Sequence, residues 1–331
     1  MLFGISLPSK AATRQPAPTS ADGMWLSREE AIMGTAVSVD LWCEDTARGN
    51  AAIDAVMAEM HRIDRTMSPH KADSELSLIN RDAATHPVAL SDEMYTLVER
   101  SIDFSKLSGG AFDITYAAVG HLYDYRQRIK PSEAALARAR ANVGWRLLQL
   151  DPAARTLRFA RAGVRIDLGG FAKGHAVDQG AAILRLHGIR HAIVTAGGDS
   201  HVLGDRRGRP WTIAIADPRR PGEVVAVLPL EDTAISTSGD YERYFIDDDG
   251  VRCHHLIDPA TGKSPNSVSS VTILADDGLT TEALSKTVFV AGLERGLRIV
   301  ESVPGADAVV VDATGQLHYS AGLMNAATAQ G

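Results

Sequence analysis

The chain of 331 residues is 45% apolar and 23% charged, long enough to bury a large core and ordinary for a globular protein. Lys and Arg number 34 against 41 Asp and Glu, a formal charge of −7, so no basic nucleic-acid footprint is expected. Aromatic residues make up only 5%, which also argues against a base-stacking platform.

Residues 1–24 read as a flexible N-terminal tail before a folded region that starts near Trp25. The apolar run Leu2 to Leu7 is shorter than a signal h-region, and Lys10 and Arg14 follow it rather than precede it. Cytoplasmic is the default expectation, periplasmic if the true N-terminus differs. Residues 36–41 alternate as a half-buried strand, and Thr46 to Met67 place Ile53, Val56, Met57, Met60, Ile63 and Met67 on one helical face. Ser91 reads as an N-cap with Asp92 and Glu93 at the positive end of the dipole, and that helix should end near Gly109-Gly110. Pro131-Ser132 opens a helix that stops around Gly144. Strands are expected at 156–160, 164–168, 191–196, 211–216, 224–230, 269–275 and 307–312, with helices at 173–187 and 280–292. Without strict βαβ alternation, the expectation is an α+β fold, a single elaborate mixed-sheet domain over residues 25–331.

Several segments are candidates for chemistry. Ile166 to Gly174 (IDLGGFAKG) runs from a strand through glycines into a helix whose start would favour an anionic group, with Lys173 adding positive charge. Gly262-Lys263-Ser264 only mimics a phosphate-binding loop: Ile257 stands where the earlier glycine belongs, and Pro265 follows at once. In the segment His254 to Gly262, a histidine before an Asp-Pro turn could act as a general base, or one histidine could simply cap the turn. Ser238, His255 and Asp240 evoke a hydrolase triad, but no nucleophile elbow is present and turn chemistry explains Ser236 to Tyr241 more simply. Cys253 before His254-His255 has no second cysteine at metal spacing, and Cys43 is the only other thiol. Gly197-Gly198-Asp199 is expected to end a strand, and Gly109 to Thr115 to lead into one.

Taken in order, the segments say more than any one alone. Met33-Gly34-Thr35 is followed by Met67-Ser68-Pro69-His70, Ser74-Glu75 and Asn80, then by Gly110-Ala111-Phe112-Asp113. Next come Asp167-Leu168-Gly169-Gly170 with Lys173-Gly174, Gly197-Gly198-Asp199, and Trp211 with Asp217-Pro218. Ser238-Gly239-Asp240-Tyr241 and His255-Leu256-Ile257-Asp258-Pro259 with Thr261-Gly262 complete the series. This succession, over about residues 33 to 292, resembles the ApbE family of FAD:protein FMN transferases.

The resemblance implies an α+β domain with FAD in a cleft and Mg²⁺ at the pyrophosphate. It implies that Met33, His70, Ala111, Phe112, Asp113, Asp167, Lys173 and Ile257 line the FAD site, that Gly170 and Glu282 hold the metal, and that His255 is catalytic, as base or as transient nucleophile. The implied reaction joins FMN to a threonine or serine hydroxyl of a target flavoprotein, with AMP leaving. Two departures stand out. Family members usually carry Tyr where this chain has His70. The family's metal motif is an aspartate with a threonine four residues later, and here those positions are Glu282 and Lys286. Three readings follow: Mg²⁺ held through Glu282 and Gly170, the Lys286 ammonium standing in the metal's place, or an FAD-binding protein without transfer activity. FAD pyrophosphatase activity at the same site is a further alternative.

Overall fold

The computed structural model describes residues 23–328. The expected tail lies outside the described residues except for Gly23 and Met24, and Met24 already opens the first strand.

Eight strands follow one another across the central sheet in chain order. They are β1 (Met24–Ile32), β2 (Thr35–Cys43), β3 (Ala192–Ala196) and β4 (Asp199–Leu203), then β5 (Ala234–Gly239), β6 (Val268–Ala275), β7 (Asp307–Asp312) and β8 (Leu317–Tyr319). Every neighbouring pair is antiparallel, where a mixed sheet was expected. Tight reversals explain β1–β2, β3–β4 and β7–β8, and between β6 and β7 two successive helices turn the chain back. The β1–β2 turn is Met33-Gly34, with φ +54° and +71°. Two successive left-handed residues match the twist of a tight hairpin, at a steric cost that Met33 carries and Gly34 does not.

Period-two alternation sorts the sheet into two apolar faces. On one, Val37, Val39 and Leu41 of β2, Val194 of β3, and Val271 and Ile273 of β6 join the large core. That core is completed by helices α1 (Thr46–Met67), α2 (Glu75–Asp82), α3 (Asp92–Ser108), α4 (Ala172–Leu186) and α5 (Gly278–Ala291). All six expected core positions of α1 are buried. On the other face Ile193, Val202, Ile235, Leu274 and Val309 pack under the hairpin Trp211–Ala216/Val224–Leu230 and Leu323.

Four expectations change. Residues 164–168 form no strand, because Asn80 of α2 takes both backbone groups of Ile166, at 2.8 and 2.9 Å, and Asp167 N–H donates to Ile114 O at 3.0 Å. Those partners replace a ladder. Gly109 to Thr115 leads not into a strand but into a 3₁₀ turn, Ile114–Tyr116, capped by Asp113. The helix after Ser132 stops at Arg140 rather than Gly144. Gly197-Gly198 does end β3, but Asp199 begins β4, a strand not foreseen.

Candidate active site at the start of α4

Gly169-Gly170-Phe171 delivers the chain into α4, and two glycines set how closely α4 meets α5. A methyl on Gly174 would sit 2.1 Å from Gly278 O, and one on Gly278 would sit 2.6 Å from Gly174 O. The backbones therefore touch, and Glu282, one turn further into α5, reaches α4. Its Oε2 accepts from Gly174 N–H at 2.7 Å, and its Oε1 accepts from Lys173 at 2.6 Å and from Lys286 at 3.2 Å. Lys173 also pairs with Asp199, which Gly198 places by letting β4 approach β5: a methyl there would meet Thr237 O at 2.6 Å. Glu282 and Asp199 are fully buried, yet their charges are matched by two ammonium groups. Burial pushes Lys173 down, but Asp199 and Glu282 outweigh it and hold the ammonium above its ordinary value. For Lys286 burial wins and the shift is downward. Asp199 stays below the carboxylate range because Lys173 and Lys286 overcome its burial. Its Oδ1 has no hydrogen-bond partner.

The hairpin Tyr244–Ile246/Arg252–His254 ends directly before His255. Asp258 then closes a turn: its carboxylate accepts from Ala260 N–H at 2.8 Å and Thr261 Oγ1 at 2.9 Å, and Gly262 takes φ +73°. The apparent phosphate-binding glycine of Gly262-Lys263-Ser264 is thus part of the turn that fixes His255. His254 donates Nε2–H to Pro265 O at 2.7 Å and packs edge-on to Phe289. His255 has a buried Nδ1 with no partner. Burial, then Lys286, His254, Arg243 and Lys173, push its pKa down to about 3. The imidazole is neutral at physiological pH, with the two lysines close enough to matter electrostatically. No Ser-His-Asp triad forms: Ser238 bonds Ser285 at 2.9 Å, and Asp240 is gripped by Arg219 at 2.6 and 2.7 Å.

The other expected residues differ in how directly they connect to this centre. Arg243 donates to Gly34 O at 3.2 Å and its own carbonyl accepts from His255 N–H at 3.1 Å, tying the Met33-Gly34 turn to the histidine. Asp167 accepts from Gly169 N–H, is pushed up by burial, and feels exposed His70. Phe112 packs with Phe104 and Phe171, and Ala111 is buried beside it. Asp113 spends its carboxylate on Thr115 and on Trp145 N–H at 2.7 Å, a loop-fixing set. Ile257 is buried against Val119 and Leu136. Tyr116 was missed by sequence reasoning. Burial drives its hydroxyl pKa well up, with Asp167 and Glu282 nearby. A lone tyrosine after a turn gave no signal, whereas Asp199 was visible as the end of a Gly-Gly pair.

Gly170 and Glu282 do not fit Mg²⁺. A methyl on Gly170 would lie 3.6 Å from Lys286 Cε, so the lysine stem runs alongside the residue expected to offer its carbonyl. Both Glu282 oxygens already have donors, and a dication would enter between two ammonium groups. Among the described residues, no three His, Cys, Asp or Glu side chains are grouped to hold a metal ion.

A half-buried, neutral histidine with an open ring nitrogen feels two ammonium groups, one of them at a helix start, an arrangement suited to a reaction that builds up negative charge. The chain belongs to the ApbE family, whose sequence profile matches residues 33–310. It is 32% identical over 318 residues to the FAD:protein FMN transferase of Treponema pallidum (strain Nichols), covering 90% of this chain and 88% of that one. It is 35% identical over 257 residues to the Vibrio cholerae enzyme of the same name, covering 76% and 75%. The ApbE protein of Thermotoga maritima superposes with a TM-score of 0.84 at 31% identity, over 92% of this chain and 99% of that one. The flavin transferase ApbE of Vibrio cholerae gives 0.81 at 29% identity with the same coverage.

Proposed function

We propose that this protein is an FAD:protein FMN transferase, which binds FAD, attaches FMN through its phosphate to a Thr or Ser hydroxyl of a target flavoprotein, and releases AMP. The observation that carries the reading is His255, whose half-buried, neutral ring keeps a buried, unpartnered Nδ1 under the influence of two lysines. The acceptor oxygen forms a bond to the FMN phosphorus as the bond from that phosphorus to the AMP oxygen breaks. AMP leaves with the electron pair, and His255 takes the hydroxyl proton. Positive charge from Lys286 and Lys173 opposes the negative charge that grows on the diphosphate. Met33, His70, Ala111, Phe112, Asp113, Asp167 and Ile257 are the proposed FAD-lining set. Lys173 contributes through the cluster, since its ammonium is engaged by Asp199 and Glu282.

The test is to incubate the protein with FAD and an acceptor domain and weigh the acceptor by mass spectrometry. An FMN-sized gain with one AMP released per label is expected, and both are lost in His255→Ala. Cleavage of FAD to FMN and AMP with no labelled acceptor would make the protein a pyrophosphatase and overturn the reading.

A further inference from the structure

We infer that Lys286 is the cation that holds the FAD diphosphate here, in the place where a divalent metal would otherwise stand, so that this chain works without one. The inference rests on the FAD reading above, but its test is a binding test that does not depend on transfer.

Lys286 has one protein partner, Glu282 Oε1 at 3.2 Å, the long limit of the contacts in the cluster. An ammonium has three N–H donors, so two are left for a ligand. Lys173 differs: it has close contacts to both Asp199 and Glu282. The two lysines therefore have separate tasks. Lys173 neutralises the buried carboxylates, and Lys286, whose stem runs along Gly170, keeps two donors free; the two side chains are 25% and 17% exposed. The four groups sum to no net charge: two ammonium groups against two carboxylates. A Mg²⁺ would have to sit against two ammonium groups, with both Glu282 oxygens already engaged. The anionic diphosphate meets an ammonium that a single protein contact leaves with two free donors.

Placement fits the role. Lys286 is the largest electrostatic influence on His255 after burial itself, so the same group lies within reach of the base and the glycine turn. Lysine also suits the task chemically, because it binds phosphate as a point charge and asks for no fixed coordination geometry.

FAD and riboflavin affinities are to be measured on chelator-treated protein, with and without added Mg²⁺, alongside Mn²⁺ binding by electron paramagnetic resonance. The expected result is an FAD affinity that Mg²⁺ leaves unchanged and no Mn²⁺ bound at the site. Lys286→Met weakens FAD binding about tenfold to a hundredfold, the worth of a charge-assisted contact, and leaves riboflavin, which lacks phosphate, unaffected. Lys286→Arg keeps most of the affinity. If Lys286→Met misfolds, the double variant Glu282→Asp/Lys286→Thr, which restores the family's metal pair, decides: its FAD affinity becomes Mg²⁺-dependent. Tightening of wild-type FAD binding by Mg²⁺, bound Mn²⁺ displaced by Mg²⁺, or equal losses for FAD and riboflavin in Lys286→Met overturn the inference. A protein that binds FAD as expected yet labels no acceptor overturns the transferase reading alone.

Discussion

The two halves of the site follow opposite rules. On the α4–α5 side, the buried carboxylates Asp199 and Glu282 are matched by Lys173 and Lys286, and Glu282 also takes a backbone N–H. On the hairpin side, His255 is half-buried with an unpartnered Nδ1, and His254 has one nitrogen bonded and one open. Buried polar atoms are nearly always satisfied, and three here are not: Asp199 Oδ1 within the paired cluster and the Nδ1 atoms of His254 and His255 on the hairpin side. Paired charges hold the frame, and the unpaired nitrogen is kept for chemistry.

That contrast breaks most clearly through substitutions that separate activity from stability. His255→Ala should lower transfer by about 10²- to 10⁴-fold, the usual worth of a general base, with urea unfolding unchanged at neutral pH. Lys173→Met should do the reverse first: it leaves Asp199 and Glu282 buried with one ammonium between them, costing about 3–5 kcal/mol of stability. Urea denaturation reads that cost. A Lys173→Met protein as stable as the parent would mean the cluster is not a frame. A smaller loss is expected from Gly174→Ala, whose methyl would collide with Gly278 O. Moving α4 off α5 should cost about 1–3 kcal/mol and loosen Glu282 from Gly174 N–H, visible as faster amide exchange at Gly174.

Much of this was legible in the sequence where a local rule decides the structure. The α1 face followed helical spacing, and Gly174 and Gly198 stand where backbone meets backbone, while Gly169, Gly170 and Gly197 meet side chains. The Asp-Pro turn drew attention to the His254-His255 pair, and only the family resemblance picked His255 from it. The failures came from long-range partners. Residues 164–168 look like a strand, but Asn80, far away in sequence, satisfies Ile166 instead of a neighbouring strand. Lys173 reads as a phosphate ligand from its place at a helix start, yet Asp199 and Glu282 claim its ammonium. Tyr116 and Arg243 join the site only because the fold brings the Gly34 turn, the 111–116 loop and the hairpin together.

The smallest expected effect links the two halves through charge alone. Burial and the cations Lys286, Arg243 and Lys173, with His254, lower His255 from 6.5 to about 3. Between those values an unfolded chain takes up a proton at this histidine that the folded protein refuses. The contribution to stability is therefore complete above 6.5 and is lost as pH falls towards 3. His255→Ala should remove that slope from a pH series of urea midpoints. In catalysis the same shift preserves the base, so the acid limb of kcat/KM, which reports the free enzyme, should lie below the ordinary imidazole value. Lys286→Met deletes the first of the cations and leaves Glu282 in place, which favours the imidazolium. The limb should then move to higher pH by about one unit, and by less in Lys173→Met, whose charge ranks last among these influences. A limb that moves in neither variant would show that the frame acts on the diphosphate and not on the histidine. Equal movement in both would erase the division of labour between the two lysines.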